Sequence, residues 1–293
     1  MSLYRSLLLT SLLASLALSH DARAQAPRSC DANGMSLQIL GSGGPFGNGR
    51  ASSGYLLWID GTSRLMVDAG GGTFARFHEA GATLADLQLM ALSHFHPDHS
   101  AELPALLWPN TGTLTVAGPS GTAGFPSVAE YLDGLFGERG VFRVVDERFD
   151  FEVITVEVAA GSRQILGNDS FTVTARGVPH GDVPTVAYLV ESGGASIAFS
   201  SDQTGADPAF TDFVRNVDVL VVHFAGNEDG SGRQDLHARP SVWGQIARDA
   251  GVGRVVLSHL STNPNFEANL DHFRRVYSGP LTLAEDLMCL KLR

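Results

Sequence analysis

Lysine is almost missing from this 293-residue chain: Lys291 is the only one, and the remaining cations are arginines. Lys and Arg number 20 against 31 Asp and Glu, a net charge of −11 with no basic run. Long nucleic acid and anionic membrane surfaces are gripped by clustered cations, so the chain is poorly equipped for either. Cysteine is scarce too, with only Cys30 and Cys289. Neither has a metal-ligand spacing, which leaves metal chemistry to His, Asp and Glu. Their positions leave open a bridge tying the first residues to the last strand, or two unpaired thiols. Beyond the N-terminus no apolar run approaches the roughly 20 residues that cross a bilayer. What remains, 44% hydrophobic and 17% charged, is globular composition with material for a sizeable core.

The N-terminus reads as a processing segment. Arg5 precedes an apolar run from Leu7 to Leu18, followed by Ala22-Arg23-Ala24 and Ala24-Gln25-Ala26, two overlapping small-residue cleavage sites. That order predicts a secretory signal peptide over 1–24, cut after 24 or 26, and hence a periplasmic or secreted product. The run is too short to serve as a membrane anchor. A single domain is expected over 30–293.

Short β-branched and aromatic runs alternate with helical patterns along the rest. Strands are predicted at 37–40, 55–59, 64–67, 88–92, 113–117, 151–158, 171–175, 185–190, 196–199, 217–222, 254–257 and 287–290. Helices are predicted at 73–80, 100–107, 127–136, 208–216, 240–250 and 264–277, three of them opening on a proline that a first turn tolerates. The class is therefore α/β. The glycine stretches Gly41-Ser42-Gly43-Gly44-Pro45 and Gly70-Gly71-Gly72 lack the Gly-Lys-Ser/Thr ending of a phosphate loop and read as tight turns lining a pocket.

The chemistry concentrates in Ser93-His94-Phe95-His96-Pro97-Asp98-His99-Ser100, between a strand pattern and a helix pattern. Three imidazoles and a carboxylate in six residues suit zinc and similar divalent ions. On an extended segment His94 and His96 share a side, and Asp98 and His99 follow at the turn into the helix. One cluster does not close two metal shells. His180, Asp202 and His259 each fall just past a predicted strand, where side chains converge on the rim of an α/β sheet.

Taken in order, His94-x-His96-x-Asp98-His99, His180, Asp202 and His259 resemble the metallo-β-lactamase-fold hydrolases. Within them, Leu40-Gly41-Ser42-Gly43-Gly44-Pro45, Met66-Val67-Asp68-Ala69-Gly70, Val256-Leu257-Ser258-His259-Leu260-Ser261 and His237 are similar to the ribonuclease Z-like, arylsulfatase-like branch. The resemblance implies a four-layer αββα sandwich with a two-metal site on one edge. It implies one ion on His94, His96 and His180, a second on Asp98, His99 and His259, and Asp202 bridging them. Zinc is the expected metal, with manganese or iron as alternatives. The implied reaction is attack by a bridging hydroxide on an ester. Asp98 would also hold the nucleophile's proton, and His237 would donate a proton to the leaving oxygen, unless it only caps the helix near Pro240.

The chain also departs from that branch. His223-Phe224-Ala225-Gly226 stands where ribonuclease Z has His-Glu-Ala-Thr, so the glutamate that orients the later histidine is absent; Glu228 or Asp235 could substitute. His223 reads as either structural or functional. The long basic arm that grips transfer RNA is missing, because the 118–148 segment is short and mixed in charge; no transfer RNA partner is expected. Arg50, Arg176 and Arg239 are candidate anion contacts. The leading expectation is a soluble exported hydrolase of a small phosphodiester, a cyclic nucleotide or an aryl phosphodiester, acting as monomer or homodimer without a membrane partner. Arylsulfatase-type hydrolysis comes next, then a lactonase, and in a different class a non-catalytic metal-binding module.

Overall fold

In a computed structural model the chain is described over residues 30, 33–108, 110–231 and 236–292. The expected signal segment and Asp235 lie outside the described residues. The first sheet contains β1 (Met35–Gly41), β2 (Gly54–Ile59), β3 (Thr62–Val67), β4 (Leu89–Ala91), β5 (Gly112–Pro119) and β6 (Phe149–Val156). The second contains β7 (Arg163–Gly167), β8 (Thr172–Val178), β9 (Thr185–Ser192), β10 (Ala195–Phe199), β11 (Val219–His223), β12 (Arg254–Ser258) and β13 (Leu281–Leu283). The last strand, β14 (Cys289–Lys291), returns to the first sheet. The spatial orders are β14-β1-β2-β3-β4-β5-β6 and β13-β12-β11-β10-β9-β8-β7.

Both faces of each sheet are covered, and the alternation of side chains shows how. Along β9, Val186, Tyr188 and Val190 enter the core between the sheets, while Ala187 and Leu189 face the helical side. The inter-sheet core joins Leu37, Tyr55 and Val67 of the first sheet to Val173, Ile197 and Val221 of the second. Outside the first sheet pack α1 (Thr73–Glu79), α3 (Leu103–Leu107) and α4 (Val128–Phe136), which contribute Phe77, Leu106 and Leu132. Outside the second pack α5 (Pro208–Phe213), α6 (Pro240–Asp249) and α7 (Phe266–Val276), through Phe210, Trp243 and Phe273. Each such side chain contributes about 1.5–3 kcal/mol by leaving water. The result is the four-layer αββα sandwich.

The expected helix over 100–107 is divided into the single turn α2 (Pro97–Ser100) and α3. Pro97 and Pro104 each stand in a first turn, where the missing N–H costs nothing, and each therefore starts a separate element. Two strands escaped the pattern reading. β7 and β13 are edge strands with no fully buried residue, so they carry little of the apolar run that marks a strand. Cys30 and Cys289 form a disulfide with their Cα atoms 5.7 Å apart, tying the chain ahead of β1 to the first residue of β14.

Parallel pairing sets one edge of the sandwich. β3, β4, β5 and β6 run parallel, as do β10, β11, β12 and β13. The carboxyl ends of β4, β8, β10 and β12 give way to the segments bearing His94, His180, Asp202 and His259, and His223 is the last residue of β11.

Candidate metal centre

Eight side chains meet at that edge. One ligand atom from each of His94, His96, His180 and Asp202 lies within 4.8 Å of the others, and the same holds for His99, Asp202, His223 and His259. Asp98 belongs with the second group, its Oδ2 lying 3.1 Å from His259 Nε2 and 3.5 Å from His99 Nε2. Asp202 serves both groups: Oδ2 is 3.8 Å from His180 Nε2 and 3.5 Å from His99 Nε2, and Oδ1 is 3.6 Å from His259 Nε2.

Hydrogen bonds behind the rings decide which nitrogen faces inward. Asp68 accepts from His99 Nδ1 at 2.8 Å, from the Ser93 backbone N–H at 2.7 Å and from the Ser93 hydroxyl at 2.9 Å. With its own proton on Asp68, the Ser93 oxygen is free to accept from His94 Nδ1, 3.0 Å away. His180 Nδ1 donates to the Leu236 carbonyl at 2.8 Å. Each bond leaves the Nε2 of its ring as the inward-facing atom. His99 Nε2 and His180 Nε2 are buried and have no hydrogen-bond partner. A buried polar atom left so is costly, and a divalent cation in each group would satisfy it.

His223 is a different case. A carboxylate only accepts, so its Nδ1 donates to Asp202 Oδ1 at 2.8 Å, and its Nε2 faces the Tyr55 hydroxyl at 3.0 Å. With both nitrogens engaged, His223 braces Asp202, and Asp98 is the better ligand for the second group. Tyr55 lies in turn 2.9 Å from Ser258 Oγ, next to His259.

Apart from His99, the shifted groups stand in the states that ligation needs, neutral imidazole and ionised carboxylate. Burial pushes His94 well below its ordinary value, aided by the charge of His99, and burial likewise lowers His96 and His180. Burial works against Asp98, but the hydrogen bond and charge of His259, with His99, bring it down to about 2. Asp202 is held well below the usual carboxylate range against burial by His259, His99 and the hydrogen bond from His223. His99 goes the other way: burial opposes its charge, and Asp202 and Asp68 raise it well above the ordinary imidazole value.

Backbone geometry holds the cluster in place. Asp68, Ser201 and His259 all have positive φ, at 58°, 55° and 56°, a region that non-glycine residues seldom occupy. Two glycines permit close approach. A Cβ on Gly70 would stand 2.1 Å from the Asp98 carbonyl, and one on Gly44 would stand 2.6 Å from the His259 ring. The glycine turn after β1 therefore touches a ligand, beyond lining the pocket.

The centre opens into a cleft of about 640 Å³, bordered by His96, Asp98, His237 and His259 and flanked by Phe46 and Pro264. His237 is mostly buried, with Nδ1 3.9 Å from Asp202 Oδ2, and burial lowers it to about 4. The helix-capping alternative for His237 does not describe this position. Glu228 does not orient His237: it accepts from the Ser241 N–H at 2.9 Å and the Ser241 hydroxyl at 2.6 Å, anchoring the start of α6. Among the arginines, Arg50 donates to Ser42 and the Ala284 carbonyl, Arg176 pairs with Asp207, and Arg239 is exposed at the start of α6; none lines the cleft. Sequence reasoning assigned no role to Asp68 or Tyr55 and left His223 undecided. A hydrogen-bond partner is not readable when it comes from a distant strand, and the only local signal was Asp68 inside Met66-Val67-Asp68-Ala69-Gly70.

The comparisons agree with this geometry. A family model described as the β-lactamase superfamily domain matches residues 63–260. The chain is 29% identical to a protein named ribonuclease Z from Methanopyrus kandleri, over 86% of this chain and 96% of that one. The crystal structure of the metallo-β-lactamase fold protein YhfI from Bacillus subtilis superposes with a TM-score of 0.71 at 23% identity, covering 88% of this chain and all of that one. A diphosphatase of the PhnP family superposes with a TM-score of 0.60 at 15% identity, covering 88% and 97%.

Proposed function

The chain belongs to the β-lactamase superfamily and is a metal-dependent hydrolase of the metallo-β-lactamase fold; from that premise we propose that it is an exported two-metal phosphodiesterase acting on a small ester. The observation that carries this reading is the shared carboxylate, Asp202, standing between two ligand groups under His237. His94, His96 and His180 would hold one ion, Asp98, His99 and His259 the other, and Asp202 both. Imidazole and carboxylate donors favour zinc, with manganese or iron as substitutes. When bound, the ions supply an activated water at neutral pH and neutralise charge that builds on ester oxygens.

The remaining steps fall to the side chains. Asp98 borders the cleft and accepts the proton of the attacking water. His237, on the cleft wall and kept neutral at neutral pH by its burial, offers its ring N–H to the charge that develops on the departing alkoxide or aryloxide. The cleft volume lies within the range of small-ligand sites, and it has no basic rim among the described residues to track a polynucleotide. Similarity to proteins named ribonuclease Z and diphosphatase supports a phosphoryl centre over a carboxyl one. The disulfide supports export, since such bridges persist in oxidising compartments.

The test is a panel of bis-aryl phosphate, aryl sulfate, lactone and cephalosporin with metal-replete protein. The phosphodiester is expected to turn over best; turnover of only the lactone or the cephalosporin refutes the reading. His237→Ala is expected to slow the reaction severely while both ions stay bound.

A further inference from the structure

His96 borders a second, smaller hollow. Its volume is about 210 Å³, below the range of whole-ligand pockets, which suits one substituent of a ligand. Three separate stretches of chain line it. Phe95 comes from the ligand loop, Phe125, Pro126 and Tyr131 from the turn before α4 and α4 itself, and Val183 and Pro184 from the loop that also carries His180. The Phe95 and Tyr131 rings stack with centroids 4.2 Å apart and planes 5° from parallel. The Tyr131 hydroxyl donates to the Ser100 carbonyl at 3.1 Å. Apart from the His96 ring, the lining side chains thus offer no uncommitted polar atom.

We propose that this hollow receives a simple aryl group carried on the oxygen that stays bonded to phosphorus. The proposal rests on the phosphodiesterase reading and specifies its substrate class. A phosphodiester has two arms, and the hollow and the cleft meet at His96, which lines both. His237 borders the cleft and not the hollow, so the departing arm lies in the cleft and the retained arm in the hollow. A nucleobase would bury donors and acceptors there without partners, whereas a phenyl ring would not.

The experiment uses p-nitrophenyl phenyl phosphate, p-nitrophenyl methyl phosphate and p-nitrophenyl thymidine phosphate, which share a leaving group. Phe125→Ala, which lies outside the metal groups, is expected to lower kcat/KM for the phenyl ester about tenfold and to leave the methyl ester unchanged. Val183→Phe, which fills the hollow, is expected to do the same. Equal loss on both esters, or no loss on either, overturns the proposal, as does a wild-type preference for the thymidine ester that Phe125→Ala abolishes. Binding of phenylphosphonate against methylphosphonate gives a readout independent of turnover. If the wild type hydrolyses none of the three diesters, the phosphodiesterase reading fails. The hollow is then judged by the phosphonates: tighter phenylphosphonate binding that Phe125→Ala removes upholds it, and equal binding rejects it.

Discussion

The two sheets supply the centre in different ways. The first delivers four candidate ligands from one short stretch, His94 to His99, and braces two of them with a single buried carboxylate, Asp68, working on His99 directly and on His94 through Ser93. The second delivers His180, Asp202 and His259 one at a time, each from the loop after a different strand. Its bracing is spread out: a backbone carbonyl for His180, the His223–Tyr55 pair for Asp202, and positive φ at Ser201 and His259. The first half is a local motif with one keystone. The second is held by tertiary structure, and only it contains Asp202, the side chain common to both candidate ligand groups.

That contrast predicts a graded set of losses. Asp202→Ala is expected to empty both sites and bring turnover below detection, whereas Asp98→Ala or His99→Ala abolishes turnover yet keeps the first ion. Metal content by mass spectrometry, alongside circular dichroism to show a folded chain, separates the two patterns. Asp68→Asn is expected to weaken metal affinity by about 10–100-fold, the usual cost of losing a ligand's hydrogen-bond partner. Tyr55→Phe removes one bond from the distributed bracing and is expected to cost about tenfold or less. Chelator competition ranks them, and a larger loss for Tyr55→Phe would reverse the comparison. Cys289→Ser acts far from the centre. It is expected to lower stability by about 2–5 kcal/mol in denaturant unfolding with kcat unchanged.

The sequence displays the two halves unequally for the same reason. Four donors in six residues are visible without a structure. His180, Asp202 and His259 become visible only because each ends a strand pattern, and a strand end in an α/β sheet has a known edge. His223 also ends a strand, yet whether it ligates or braces depends on Tyr55, more than a hundred residues earlier, whose hydroxyl occupies its second nitrogen. The helices and inner strands follow apolar periodicity, and the edge strands β7 and β13 do not. The hollow beside His96 is assembled from three stretches of chain, and no pattern in any of them signals that Phe95, Phe125, Tyr131 and Val183 come together.

Direct measurement of metal stoichiometry tests the central claim most simply. Protein stripped with chelator, reloaded with zinc and freed of excess ion is expected to hold two ions per chain, with turnover returning as they bind. A folded chain that retains fewer than one ion after such reloading would contradict a centre built on a carboxylate shared by two sites.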